Sequence, residues 1–410
     1  MEFGLRRHRA QVLHQLLQVA LVGMTLGSMR TVVPALAESD FGVPRGSFVL
    51  LTAFVLAFGL VKGAMNFVAG RLAETHGRRR VLLWGWAAAL PIHFVVWFAP
   101  TWNWIVAATV LLGVQQGLAW SMTQTAKLDL TAPQQRGFVV GINEFAGYVG
   151  MALAGIGAAL AAQALGPRPG LLAFGLAVVA LGFVHAWLAV AETLPWAQHA
   201  AGPAGAAPTT RAVFATMTWR DRRLAALCQA GLVEKFVDAL VWVFWPVYLV
   251  RAGLGLAAAS AVVGVYGLTW GLAQLATGRL SDRFGRQPLN VGGMALCGLG
   301  VLAFPFAQGH AGWSACAAIT GLGMAMLYPN LSAAVADLAA PAWRASAFGV
   351  YRFWRDLGYA VGALALGLAA SAGGRLEPGF WLVGAAMLAS AAWLAVFGEE
   401  SAPRKVATRS

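Results

Sequence analysis

Cysteine, histidine and charge are all scarce in this chain, and each scarcity excludes something. The 3 cysteines among 410 residues, Cys228, Cys297 and Cys316, fall singly with no CxxC pair, so neither a disulfide framework nor a thiolate metal cage is expected. The 7 histidines are scattered, with no two spaced as metal ligands, and no metal or other cofactor is expected. No glycine-rich loop ends in Gly-Lys-Ser or Gly-Lys-Thr, which argues against an ATP-driven pump, and no Gly-x-Ser-x-Gly elbow suggests an enzyme. Charged residues make up only 11% of the chain, whereas 59% is hydrophobic. A water-soluble core of ordinary proportions cannot hide that much apolar surface, so the lipid bilayer is the expected solvent.

Long apolar runs are what the chain has instead. Twelve occur, near residues 13–36, 47–69, 80–99, 102–124, 137–163, 170–190, 224–250, 256–277, 288–307, 312–336, 345–371 and 378–397. Each is close to the ~20 residues that a helix needs to cross the hydrocarbon layer, and their many glycines suit close helix contacts. The expected fold is an all-α membrane protein with twelve transmembrane helices. The first run reaches Leu36 without a small-residue cleavage site, so it reads as an uncleaved first span.

Positively charged loops are retained on the cytoplasmic side during insertion. With the N-terminus inside, 20 of the 29 Lys and Arg residues fall in cytoplasmic segments, among them Lys127, Arg136, Arg344, Arg404, Lys405 and Arg409. Arg45, Arg168, Arg251 and Arg375 fall outside, and the remaining five lie in spans. Both termini are therefore expected in the cytoplasm. The net charge of +13 follows from this topology, and no nucleic-acid partner is expected.

A gap-free repeat with an offset of 208 residues divides the chain. Gly70-Arg71-Leu72 recurs as Gly278-Arg279-Leu280, Gly77-Arg78 as Gly285-Arg286, Asp129-Leu130 as Asp337-Leu338, Ala132-Pro133 as Ala340-Pro341, Arg136 as Arg344 and Gly141 as Gly349. Two parallel six-helix halves, related by a pseudo-two-fold axis along the membrane normal, explain it. The expected divisions are a first half at 1–190, a cytoplasmic linker at 191–221 that is rich in Ala, Pro and Gly around position 205, a second half at 222–400, and a tail at 401–410.

The segment Gly70-Arg71-Leu72-Ala73-Glu74-Thr75-His76-Gly77-Arg78-Arg79-Arg80, joining spans two and three, resembles the signature of the major facilitator superfamily. Its repeat, Gly278, Arg279, Asp282, Gly285 and Arg286, is a closer match. The resemblance implies the fold of that superfamily, with these loops clamping the cytoplasmic helix ends in the outward-open state. Physically, glycine-punctuated loops let helix ends approach, and acids beside arginines form charge-assisted bonds in one state and lose them in another. Asp129 and Asp337 are the expected partners, of Arg71 or Arg78 and of Arg279 or Arg286. Drug and proton antiporters of the superfamily carry a Gly-Pro pair in span five and an Arg three residues before a Gln-Gly in span four. Here span five reads Gly141-Ile142-Asn143-Glu144-Phe145-Ala146-Gly147-Tyr148, and Gly113 stands where that Arg would be, a departure from drug antiport. Segments 115–123 and 143–148 are similar to a less characterised bacterial subgroup that includes magnetosome-associated permeases.

Substrate information should lie in ionisable residues within spans, because a charge at membrane depth costs ~3 kcal/mol or more. Nine occur: Arg30, Lys62, Glu144, Glu234, Lys235, Asp238, Arg352, Arg355 and Asp356. The 208 offset pairs Arg30 with Asp238 and Glu144 with Arg352, opposite signs that could face each other across a cavity. Arg352 and Asp356, at i and i+4, could instead neutralise each other on one helix face. The expected centre is Arg30, Glu234 and Asp238, with Lys235, Glu144, Arg352, Arg355 and Asp356 as further substrate or proton-coupling residues. The tryptophans read as interfacial anchors, as with Trp102 and Trp104, apart from Trp242, Trp245 and Trp270. The whole reads as a monomeric secondary active transporter in a bacterial inner membrane, moving a small-molecule solute by alternating access. Coupling is expected to protons, with export the favoured direction. Alternatives are a gradient-independent facilitator, an uptake permease for an anionic metabolite or iron complex, and a non-transporting sensor on the same fold. Five basic against four acidic span residues favour anionic or zwitterionic solutes.

Overall fold

A computed structural model describes residues 2–42, 48–202, 208–371 and 375–402. Arg45, Arg404, Lys405 and Arg409, the centre of the linker at 203–207 and the end of the tail lie outside the described residues. The first six long helices are α1 (Arg9–Phe41), α2 (Phe48–His76), α3 (Arg78–Trp97), α4 (Trp102–Leu130), α5 (Arg136–Leu165) and α6 (Pro167–Ala189). Two short helices follow, α7 (Leu194–Ala201) and α8 (Thr210–Ala215). The second set is α9 (Arg222–Ala239) running into α10 (Trp245–Arg251), then α11 (Leu256–Phe284), α12 (Arg286–Ala303), α13 (Gly309–Leu338), α14 (Arg344–Ser371) and α15 (Glu377–Phe397). Among the described residues, 9 helices are long and apolar enough to cross a membrane. With α2, α14 and the α9–α10 pair they make the expected two sets of six. Charged residues lower the mean hydropathy of α9 and α14, which carry Glu234, Lys235 and Asp238, and Arg344, Arg352, Arg355 and Asp356, all buried.

Local chemistry explains the breaks. Gly77 and Gly285 separate α2 from α3 and α11 from α12 with φ of 88° and 108°, a region that side chains with a Cβ avoid. Between α9 and α10 a π-helical turn spans Leu240–Phe244. Pro246 has no N–H to donate to the carbonyl four residues back, and the wider turn absorbs that loss. Asp221 caps α9 by accepting from the backbone N–H of Arg223 at 2.9 Å. Its hydrogen bonds from the Arg223 guanidinium hold its carboxyl below the usual range.

Each half has its own apolar core, one built around Trp86, Ile92, Leu112 and Val179, the other around Trp245, Phe304, Met324 and Phe380. Glycines set the closest approaches. A Cβ on Gly23 would strike the backbone of Gly147, and one on Gly150 the backbone of Ala20, so α1 and α5 touch main chain to main chain. At the positions 208 residues further on, a Cβ on Gly358 would strike the backbone of Leu232 and one on Gly231 the ring of Tyr351, so α9 and α14 also pack closely. The halves meet along two pseudo-symmetric seams. In one, Gly59, Gly63 and Gly70 of α2 lie against α14; in the other, Gly278 of α11 lies against Gly137 of α5. We call the end of the bundle where α1 starts and α15 finishes its inner end.

Candidate functional site

At mid-bundle a small cavity lies between the halves. Leu26, Arg30, Phe58, Lys62, Trp120, Tyr148, Met151, Trp242, Trp270, Tyr328 and Tyr359 line it, and its free volume is about 10 Å³. That is room for about one water. Among the described residues its charged lining is cationic: Arg30 and Lys62 reach it and no carboxylate does. The Arg30 guanidinium lies 5.3 Å from the Trp242 ring centre, and Nη1 is 3.7 Å from Met151 Sδ. Arg30 and Asp238 form no ion pair, so their shared repeat position does not make them partners. The Lys62 ammonium sits 5.5 Å from the Phe58 ring and 5.7 Å from that of Trp120.

Span seven stands behind this lining. Lys235 Nζ lies 3.1 Å from Glu234 Oε1 and 2.7 Å from Asp238 Oδ2, and all three side chains are buried. Asp238 also accepts from Tyr266 at 2.9 Å and Tyr359 at 3.1 Å. Neither Glu234 oxygen receives a well-directed hydrogen bond. Lys235 packs on the face of Tyr328 at 4.1 Å, so Tyr328 and Tyr359 form a wall one ring thick between the cluster and the cavity. The expected central carboxylates are thus one layer away from the space they were expected to line.

Span eleven joins both halves. Arg352 Nη2 lies 3.4 Å from Glu144 Oε1, as the 208 offset anticipates, and Nη1 donates to Ser121 Oγ at 3.3 Å. Asp356 does not neutralise Arg352: its Oδ2 lies 3.4 Å from Lys62 Nζ and accepts from Asn66 Nδ2 at 2.6 Å, and its Oδ1 lies 3.4 Å from Arg355 Nε. Asn66 in turn accepts from Ser121 at 2.7 Å, and Glu144 accepts from Trp120 Nε1 at 3.0 Å. Arg355 covers the Tyr328 ring at 4.6 Å.

The inner end is shut by ionic bonds. Arg78 Nε donates to Asp129 Oδ2 at 2.7 Å, and Arg286 Nε donates to Asp337 Oδ2 at 3.1 Å. Arg71 and Arg279 are not the partners: Arg71 pairs with Glu74 at 3.1 Å, and Arg279 lies over the Phe138 ring at 4.2 Å. Here three carboxylates accept hydrogen bonds across the halves. Arg136 Nη1 donates to Asp337 Oδ1 at 2.7 Å, Asp282 accepts from the N–H groups of Gly137 at 3.0 Å and Phe138 at 2.9 Å, and Glu74 accepts from the N–H of Ser346 at 2.9 Å. The last two place a carboxylate on the N-terminus of a helix in the opposite half, where the exposed N–H groups and the helix dipole favour negative charge.

Of the basic residues expected in cytoplasmic segments, Lys127 is buried within α4 and donates to the carbonyl of Gln15 at 3.2 Å, and Arg136 and Arg344 are the first, buried residues of α5 and α14. Sequence reasoning also missed Glu192 and Glu400. Glu192 accepts from the N–H groups of Arg78 at 2.8 Å and Arg79 at 3.1 Å; Glu400 accepts from those of Arg286 and Gln287 at the same distances. The two glutamates stand 208 residues apart, so continuing the repeat to the ends of the halves would have found them. Lys62, a span charge outside the expected site, lines the cavity, and so does Trp120, which is not an interfacial anchor. Trp245 stacks on Phe304 at 4.2 Å in the core.

Residues 16–233, and again 227–410, match the model of the Major Facilitator Superfamily. The chain belongs to that superfamily. It is 26% identical over 334 residues to an uncharacterised MFS-type transporter of Salmonella typhimurium (strain LT2), covering 79% of this chain and 78% of that one. The structure superposes on the human organic anion transporter MFSD10 with a TM-score of 0.75 at 18% identity, covering 94% of this chain and 99% of that one. Against the proton:xylose symporter XylE the TM-score is also 0.75, at 15% identity and 96% coverage of each chain. These likenesses make the chain a multi-pass membrane transporter and not an enzyme, with the two six-helix halves that its repeat requires. One fold carries organic anions in one neighbour and a sugar in another, so the choice of solute belongs to the cavity.

Proposed function

We propose that this superfamily member carries small organic anions with a flat, aromatic body, by alternating access and coupled to protons. The observation that carries the reading is the cavity lining: two cationic side chains, Arg30 and Lys62, ringed by aromatic faces, with no carboxylate among the described residues. A cation in a low-dielectric site attracts an anionic group strongly, and stacked rings select a flat apolar body. At about 10 Å³ the cavity must widen to hold such a solute, so the halves move apart as it loads. The bodies that rock are taken as residues 1–190 and 222–400, in a bacterial inner membrane with the inner end toward the cytoplasm. The motif residues Gly70, Arg71, Glu74, Gly77, Arg78 and Asp129, with Gly278, Arg279, Asp282, Gly285, Arg286 and Asp337, act as the cytoplasmic gate. For the proton, Glu234 is favoured over Asp238, since three donors hold the Asp238 charge and no directed hydrogen bond holds that of Glu234.

The test is uptake into proteoliposomes of benzenesulfonate, whose permanent charge keeps passive leak low, against neutral benzenesulfonamide and xylose. Wild-type protein should accumulate the sulfonate under an imposed pH gradient. Arg30→Gln should lower kcat/KM by about tenfold or more through loss of a charge-assisted contact. Glu234→Gln should still exchange the anion across the membrane but no longer concentrate it. Selective uptake of xylose, or a fully active Arg30→Gln protein, would overturn the anion reading.

A further inference from the structure

We infer that the anion unlocks the carrier by taking Lys62 away from Asp356, so that one lysine both selects the charge of the solute and releases the contact between the halves. This rests on the organic-anion reading above. Lys62, on α2 of the first half, lines the cavity, while its partner Asp356, on α14 of the second half, does not. Their 3.4 Å contact lies midway along the α2–α14 seam, between the close approach of Gly59 to Tyr359 and that of Gly70 to Gly349. The pair therefore ties the halves at the point where a solute in the cavity can reach one member of it.

The exchange is physically feasible because neither group is stranded by it. When the Lys62 ammonium turns to a solute anion, Asp356 keeps the amide of Asn66 at 2.6 Å and the guanidinium of Arg355 at 3.4 Å. Lys62 keeps the ring faces of Phe58 and Trp120 and gains a new counter-charge. A neutral solute offers no counter-charge and leaves the tie in place. A ligand shifts a conformational equilibrium only by its differential affinity for the two states, and here the differential term is explicit: in the locked state the anion competes with Asp356, in the separated state it does not. Trp120 extends the same logic to the second tie. Its ring borders the cavity while its Nε1–H holds Glu144, the partner of Arg352 across the seam.

The experiment uses the full chain in lipid nanodiscs with spin labels at Thr75→Cys and Ala342→Cys, which line one cleft at the inner end from opposite halves. The three native cysteines are buried. Benzenesulfonate should move the wild-type distance distribution toward longer separations, and benzenesulfonamide should not. Asp356→Asn should show the longer separations without ligand and bind benzenesulfonate about tenfold more tightly, because the competitor for Lys62 is gone. Should that variant fail to fold, Lys62→Met with Asp356→Leu removes both charges together; it should sit at the longer separations and ignore the sulfonate. Unchanged ligand-free distances in these variants overturn the inference, as does a wild-type protein that transports benzenesulfonate without any change in distance. A wild-type protein that neither binds nor transports the sulfonate instead removes the anion reading, and the proposed role of the anion in unlocking falls with it.

Discussion

Asp337 links the two halves at the inner closure, since Arg286 of its own half and Arg136 of the other both donate to it. Removing one partner of a buried ion pair leaves uncompensated charge and costs about 3–5 kcal/mol. Asp337→Asn should thus destabilise the closed inner end by roughly that amount while the cavity lining stays in place. A cysteine reporter at Thr75 should then react faster with a water-soluble maleimide in the variant than in the parent, and equal rates would show that Asp337 is not part of the lock. Which arginine serves which aspartate was only half legible in advance. The repeat narrowed each choice to two, but the two candidates stand seven residues apart on opposite sides of a glycine break, and only the turn geometry at Gly77 and Gly285 decides which one points back to the aspartate.

At the scale of elements, small residues rather than apolar bulk set how the helices meet. Lipid is as apolar as leucine, so helix pairs in a membrane gain from close backbone approach, and glycine permits it. Gly150→Leu would drive a side chain into the backbone of Ala20, where no rotamer change can relieve the clash. Overpacking of this kind costs about 1–3 kcal/mol even where neighbours can move. The variant should lose thermal stability by size-exclusion fluorescence in detergent, whereas a leucine at Gly264, which faces open space, should not. Equal stability of the two would mean that α1 and α5 are not held at that distance. The hydropathy runs located all of these helices, and the glycines flagged close packing, but the identity of the packed pairs is a non-local fact. Repeat arithmetic proposed Arg30 with Asp238 and Glu144 with Arg352 on equal terms, and the tertiary arrangement kept the second pair and not the first.

For the whole molecule, the unequal distribution of Lys and Arg predicts which way the bundle sits. The side chain of Gln198, on α7 of the linker, borders the inner cleft beside Arg71 and Thr75. Gln198→Cys should react with an impermeant maleimide in everted vesicles and not in intact spheroplasts, and the reverse pattern would invert the proposed orientation. That orientation bears on mechanism, because the closed inner end would then be the cytoplasmic one, and its ionic bonds would have to break before solute exchanges with the cytoplasm.

By itself the sequence determined the solvent, the twelve spans, the division into two parallel halves and the signature loops. All of these follow from composition, run length and a constant offset, which are one-dimensional properties of the chain. Tertiary structure alone decided which of the nine charges within the spans face the central space. Lys62 and Asp356 are nearly three hundred residues apart and belong to different repeats, so no periodicity relates them. Their contact exists because two glycine-lined helices from opposite halves pack closely enough to bring an ammonium and a carboxylate within 3.4 Å.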